Sequence, residues 1–373
     1  MTVVGTRPEI IRLSRVITKL EARCEHVFVH TGQNYDPQLN DVFLRELELP
    51  APDVQFAPDR STLGSFVASV MRDTEAAILE HRPDALLILG DTNSCLAAYI
   101  GRRLGVTVFH MEAGNRCWDI AVPEETNRRV VDHVSDFNLV YTEHARTNLL
   151  REGMHPRKVY LTGSPIREVL DHYGPKIRAS DIHARLGLTP RNYLLASLHR
   201  EESVDKPVVL RQLLEGLERL AEEHGCDVIV STHPRTRKQL DALGVVPSPR
   251  LVFSEPFGFF DYNALQMAAT CVISDSGTIS EESIMLGFPA VTPRNAIERP
   301  EALDAGATIL CGTTPDGLVA AVRQAIVDRA ADTTPSVPPE YAVTNTSERV
   351  VRLIVGLSTL RPRWDGLTFD LEG

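Results

Sequence analysis

Cys271-Val-Ile-Ser-Asp-Ser-Gly-Thr-Ile-Ser-Glu-Glu282 decides how the chain is read. Cys271 to Ser274 is a short apolar run with a β-branched middle, the pattern of a buried strand. Asp275-Ser-Gly-Thr278 predicts a tight turn. From Ile279 the spacing becomes helical, with Ile279, Ile284 and Leu286 apolar and Gly287 as the stop. A strand that turns sharply into a helix leaves N–H groups directed out of the turn. With the helix dipole they form an anion site. Gly277 lets a phosphate approach the backbone, and a carboxylate at Glu281 or Glu282, one turn in, suits the hydroxyls of a ribose. The same residues also describe an ordinary Ser/Asp-capped helix with acids in its first turn. Taken alone, the stretch leaves both readings open.

The strand–turn–helix unit recurs along the chain. Residues 1–4 read as a clipped strand, short of a few leading residues. Gly5-Thr-Arg-Pro-Glu9 is a turn into a helix: Thr6 and Glu9 have capping-box spacing, and Pro8 suits a first helical turn. Ile10, Leu13, Val16, Ile17 and Leu20 then share one face. Strands follow at 27–31, 85–91, 106–112 and 137–141, with helices between; a helix capped by Thr142 stops at Gly153. Nearly continuous apolar strands alternating with helices predict a parallel sheet covered on both faces. Residues 161–192 interrupt the pattern with Gly163, Pro165, Gly174, Pro175 and Pro190 and read as a connection between domains. Alternation resumes with strands at 193–198, 228–232, 251–253, 271–274 and 289–292 and helices at 208–223 and 316–331. A proline-rich crossing at 335–339 leads to a last amphipathic helix at 347–360, which reads as a strap returning to the first domain. The expected fold class is α/β: two Rossmann-like doubly wound domains facing a cleft. They span 1–165 and 166–345, with 346–373 as the closing helical segment. Ligands of such sheets bind beyond the carboxyl ends of the strands.

Bulk properties agree with two globular domains. The 373 residues exceed one ordinary core, and the chain is 43% hydrophobic and 24% charged. A net charge of −11 argues against a nucleic-acid partner, while leaving room for a locally positive site that takes a small anion. Six cysteines show no paired or zinc-like spacing and several sit in apolar runs, as reduced core thiols do. No leader and no run of 18 apolar residues is present, so the expectation is a cytoplasmic protein without a membrane partner.

Candidate chemistry sits at predicted strand ends. Asp91 ends one strand and Glu112 the next, and Glu124-Glu125 follows in Pro123-Glu-Glu-Thr-Asn-Arg-Arg129. Any single acid on such a rim is better explained as a solvated cap. Three in one half-domain point toward proton chemistry, because crowded carboxylates raise one another's pKa. His199, after the first strand of the second half, is of the residue type suited to acid–base work near neutral pH, although a lone histidine there is more often a loop residue. His233 lies in a basic stretch, 232–237, that suits either a phosphate or a solvated helix start. Arg7 and Arg12 occupy the matching rim of the first half. No metal-ligand spacing, Walker loop or Gly-x-Gly-x-x-Gly is present, so neither a metal nor a nucleotide cofactor is expected.

The ordered set Gly5-Thr-Arg-Pro-Glu9, His30-Thr-Gly-Gln33, Gly90-Asp-Thr92, Glu112-Ala-Gly114, Pro123-Glu-Glu125 with Asn127-Arg128, His199-Arg200, His233-Pro234, Glu255-Pro256, Ser274-Asp-Ser-Gly277 with Glu281-Glu282, and Glu298-Arg-Pro-Glu301 resembles the non-hydrolysing UDP-N-acetylglucosamine 2-epimerase family. Each motif is weak alone; their order through most of the chain is specific. The resemblance implies the two-Rossmann-domain GT-B arrangement shared with many glycosyltransferases, a homodimer, and interconversion of UDP-GlcNAc and UDP-ManNAc. UDP leaves by elimination across C1–C2, giving bound 2-acetamidoglucal, and adds back with the C2 proton on the other face. By position, the resemblance implies Asp91, Glu112, Glu124 and His199 as catalytic residues, with Arg128 in support. Arg7, Arg12, His233, Ser276, Gly277, Glu282 and Arg299 would bind the UDP-sugar, Glu282 on the ribose.

The chain departs from the common bacterial pattern at Asn34-Tyr35-Asp36, Asn115, Ser197-Leu-His-Arg-Glu-Glu202 and Thr278, where many members carry a second glycine. These forms resemble the branch that makes UDP-N-acetyl-L-fucosamine by C2 epimerisation of a 6-deoxy-L-sugar. The altered loop after Gln33 bears on the activator site found in many members. Rival readings are a retaining glycosyltransferase of the same fold, a hydrolysing epimerase, and a nucleotide-sugar sensor without turnover.

Overall fold

Leu86, Leu87, Ile88 and Leu89 are each exposed by 1% or less, so neither face of this strand meets water. Such a run is stable only in the middle of a parallel sheet covered on both sides. The structure, a computed structural model, describes residues 1–33, 37–120, 122–244, 248–331 and 335–360. The 34–36 loop and the 361–373 end of the closing segment lie outside the described residues. The chain divides into two compact units, Met1–Asp171 together with the chain from Glu340 onward, and His172–Pro339.

The first unit carries β1 (Thr2–Val4), β2 (Phe28–His30), β3 (Val54–Gln55), β4 (Ala85–Leu89), β5 (Thr107–Met111), β6 (Phe137–Val140) and β7 (Val159–Leu161), in the order β3-β2-β1-β4-β5-β6-β7. The second carries β8 (Tyr193–Ser197), β9 (Asp227–Ser231), β10 (Leu251–Ser254), β11 (Val272–Ser274), β12 (Ala290–Thr292) and β13 (Thr308–Leu310), in the order β10-β9-β8-β11-β12-β13. Every pairing is parallel. Both sheets are therefore doubly wound. The strand order reverses between β1 and β4 in one and between β8 and β11 in the other, and ligands of this fold gather at such points.

The second core is packed by the helices Pro207–His224 and Pro315–Ala330 against β8, β9 and β11 through Leu213, Leu217, Leu220, Leu318 and Val322. The 161–192 stretch, expected to be an irregular connection, is largely helical. Ile166–Arg178 is a helix with Pro175 inside it, because Val169, Leu170, Tyr173 and Ile177 are all buried. An apolar face at helical spacing outweighs the proline. The closing helix, Thr346–Leu357, lies against α1 (Arg7–Arg23) and belongs to the first unit. Val350, Val351 and Ile354 are buried there, Ser347 donates its N–H to Glu168 at 2.8 Å, and Arg23 pairs with Glu348 at 2.9 Å.

Candidate active site

In the first unit the turn after β1 enters α1 through Glu9. Its carboxylate accepts the N–H groups of Gly5 and Thr6, the latter at 3.0 Å, and the Thr92 hydroxyl at 2.6 Å. Burial pushes this acid up to about 7 even though those three hydrogen bonds pull the other way. The turn after β4 presses on it: a Cβ added at Gly5 would come within 1.9 Å of Ser94 Oγ. Only glycine fits, and the Asp91 loop is thereby fixed against the start of α1.

Asp91 stands two residues beyond β4, and its Oδ2 accepts Arg128 Nε at 2.7 Å. Asn127 Nδ2 donates to the Asp91 carbonyl at 2.9 Å. Glu112 directly follows β5 with φ 66, a left-handed conformation that a side chain rarely adopts. Arg12, on α1, is hydrogen-bonded to its Oε2, and Asn115 Nδ2 donates to its Oε1 at 3.4 Å. That Oε2 lies 3.7 Å from the position a Gly90 Cβ would take, so the two acids occupy neighbouring turns. Glu124 and Glu125 begin the helix Pro123–Val134. Glu125 is buried, and Arg128 Nη1 (2.9 Å) and the Cys117 N–H (3.2 Å) donate to it. Burial alone would raise that acid; these donors hold it below the usual range. Glu124 is half-buried in the same turn. Arg7 is half-buried, its guanidinium 5.6 Å from the Phe43 ring.

In the second unit Asp275, wholly buried just past β11, organises the site. It accepts the N–H groups of His199 and Arg200 at 3.0 Å, and His199 Nδ1 stands 3.0 Å from its Oδ1. Burial would raise this acid; the His199 imidazole, then the N–H and charge of Arg200, bring it down to about 2. The contact engages Nδ1 of an imidazole whose side chain is 41% exposed. Ser276 Oγ bonds Thr278 Oγ1 at 3.0 Å. Arg299 Nη1 donates to the Gly277 carbonyl at 2.7 Å and its Nε pairs with buried Glu281 at 3.0 Å. A Cβ at Gly277 would meet Arg299 Nη1 at 2.6 Å and Arg200 Nη2 at 3.5 Å, so two guanidinium groups flank this turn. Thr278 has φ −79, open to any residue, so no second glycine is required there. Glu282 is buried and accepts Gln266 Nε2 at 2.8 Å. His233 caps the helix Pro234–Leu243, accepting the Arg235 N–H at 3.2 Å, while Arg235 pairs with Glu201 at 2.9 Å and with Asp205. Much of the charge of that basic stretch is thus already neutralised.

The first unit therefore gathers Arg12, Asp91, Glu112 and Arg128, with Glu124 on the helix that carries Arg128. The second gathers His199, Ser276, Gly277 and Arg299, with Glu282 one turn on. Sequence reading missed Asp275 as the residue orienting His199, and Arg200 as the second guanidinium at Gly277. The signal was present: both strands end at one switch point, with Ser274 in register with Ser197. Among the described residues no group of three His, Cys, Asp or Glu side chains is arranged to hold a metal.

Fold and site together define a two-domain, doubly wound α/β enzyme with a polar turn at each switch point. Residues 18–355 match the family model described as UDP-N-acetylglucosamine 2-epimerase. The UDP-N-acetylglucosamine 2-epimerase of Methanocaldococcus jannaschii is 34% identical over 329 residues, covering 86% of this chain and 90% of that protein. A structure of UDP-N-acetylglucosamine 2-epimerase from Rickettsia bellii is 39% identical with a TM-score of 0.90, covering 97% of both chains. The Methanocaldococcus jannaschii enzyme solved in complex with UDP-GlcNAc and UDP has a TM-score of 0.89 at 31% identity, covering 95% of this chain and 99% of that one. The chain belongs to the UDP-N-acetylglucosamine 2-epimerase family, a family of isomerases.

Proposed function

We propose that the protein is a non-hydrolysing epimerase that interconverts UDP-GlcNAc and UDP-ManNAc. The C2 hydrogen of the sugar is weakly acidic, so its removal must be coupled to loss of the leaving group. A carboxylate takes that proton, the C1–O bond to the diphosphate breaks, and a C1–C2 double bond forms. A second acid then protonates C2 from the other face while UDP oxygen re-forms the bond at C1. In this reading Asp91 and Glu112 exchange the proton, each steadied by one arginine. Glu124 is a further acid or base on the sugar. His199, Arg299 and the Ser276-Gly277 turn receive the charge that builds on the departing diphosphate. Glu282 binds the ribose, and Arg7 and His233 complete the nucleotide contacts. Residues 1–165 thus supply the acids and 166–345 the nucleotide site. The observation that carries the reading is the pair of neighbouring acids, each hydrogen-bonded to its own arginine, in a chain of this family.

Incubation with UDP-GlcNAc in D2O tests it: the expected result is deuterium at C2 of both recovered nucleotide sugars, with no free ManNAc. The 6-deoxy-L-talose nucleotide assayed in parallel identifies the preferred sugar. Absence of C2 deuterium with every UDP-N-acetylhexosamine overturns the proton-transfer reading. The same reading makes the enzyme a cytoplasmic homodimer, as the family resemblance suggests; light scattering after size exclusion checks the assembly.

A further inference from the structure

His110 lies in β5, two residues before Glu112, and is 1% exposed. The proton transfers above give it no part. Its Nε2 donates to the carbonyl of Gly90 at 2.8 Å, an oxygen that can only accept. Its Nδ1 makes a close charge contact, not an aligned hydrogen bond, at 3.0 Å with Oδ1 of Asp132, a fully buried residue of the helix Pro123–Val134. Asp132 accepts the N–H of Gly114 at 3.2 Å on each oxygen and Arg116 Nη1 at 2.7 Å. Gly90 immediately precedes Asp91, and Gly114 comes two residues after Glu112. One buried pair therefore grips both turns that carry the acids.

We propose that the His110–Asp132 pair is a brace that positions Asp91 and Glu112 relative to each other. It rests on the role given to those two acids above. Three residues around the brace are left-handed: Gly90 at φ 81, Glu112 at φ 66 and Gly114 at φ 78. For Glu112, the one of the three with a side chain, this conformation is strained and persists only where the surroundings over-determine it. The brace is part of those surroundings, together with the Glu112 N–H bond to the Leu139 carbonyl at 3.1 Å. A Cβ at Gly114 would sit 2.4 Å from the Ala145 carbonyl, so this turn also has no room to relax toward the next helix. The charges facing the pair form a short chain. Arg116 lies on Asp132 and is held at its far side by Glu152 at 2.6 Å. Across from His110 in β6, Asn138 donates to the Asp132 carbonyl at 3.0 Å. Burial would raise Asp132; the neighbouring His110 and the Arg116 guanidinium hold it below the usual carboxylate range instead.

The test compares full-length His110→Leu and His110→Gln with wild type. Three quantities are read: kcat for C2 deuteration, the dissociation constant for UDP, and amide hydrogen exchange across 90–93 and 112–116. For the leucine variant the brace predicts a loss in kcat of about tenfold or more, UDP affinity within about twofold, and faster amide exchange in both turns. Glutamine, which can still donate to the Gly90 carbonyl, lies nearer to wild type in all three. Wild-type kcat in the leucine variant overturns the brace, as does a fall in kcat with unchanged amide exchange. If the leucine variant does not fold, glutamine together with Asp132→Asn carries the same readouts. Wild type that deuterates no substrate defeats the functional reading instead, while the amide-exchange comparison still judges the brace.

Discussion

Glu112 combines a left-handed backbone, a buried arginine partner and a place directly after a central strand. Backbone strain of this kind gathers where a side chain must point in one direction. On the role proposed for it, Glu112→Gln keeps the shape and removes a proton-transfer group, so kcat is expected to fall by about 10²–10⁴-fold while UDP affinity stays within a few fold, measured by turnover and calorimetry. Loss of both together would mark Glu112 as structural instead. Gly277 is constrained by side chains and not by its backbone: Gly277→Ala forces Arg299 off the Gly277 carbonyl or the turn outward. UDP binding weakens roughly tenfold or more, read by titration, with little change in melting temperature. Glu9 makes a pH prediction. Its folded value near 7 lies above the free value of 4.5, so the folded state holds the proton more tightly. Stability from this group is therefore full below pH 4.5 and is lost as pH rises through 7, by about 3 kcal/mol at 1.4 kcal/mol per decade. Urea titrations from pH 4.5 to 8 should show this decline in wild type and a flatter profile in Glu9→Gln.

At the scale of elements, both candidate sites use the same device. A fully buried strand ends, a turn containing glycine reverses toward a helix, and a polar side chain remains at the rim. The turns of the first sheet are interlocked, since Gly5 lies under Ser94 and Thr31. Gly5→Ala puts a methyl group where two hydroxyls already meet at 2.6 Å. It should destabilise the protein by about 1–3 kcal/mol, the usual range for overpacking, and lower kcat by displacing the Asp91 loop. Equal melting temperatures for this variant and wild type would contradict that. These devices were partly legible. The apolar runs, the Gly287 stop and the Thr142 cap all follow local spacing, and Thr142 does accept the Ala145 N–H at 3.3 Å. The helix over Ile166–Arg178 was hidden because Gly174 and Pro175 dominate its local signal, whereas its buried face is satisfied by residues distant in sequence.

At the scale of the molecule, the chain leaves the first unit and returns to it at Glu340, so the first unit is finished only when the closing helix docks. Val351→Ala, buried on that helix, should cost about 2 kcal/mol. Amide exchange should accelerate in α1 and the closing helix while the helix Pro207–His224 is unaffected; acceleration in both units alike would refute a local role. The sequence by itself determined the alternation of strands and helices, the two-sheet plan and the positions of the polar turns, because these follow from periodicities a few residues long. Tertiary structure alone decided which polar groups meet: Arg12 with Glu112 across 100 residues, His199 with Asp275 across 76, and His110 with both Gly90 and Asp132. Those choices depend on strand order and burial, which bring distant turns together at the switch points and favour partners for the polar groups buried there.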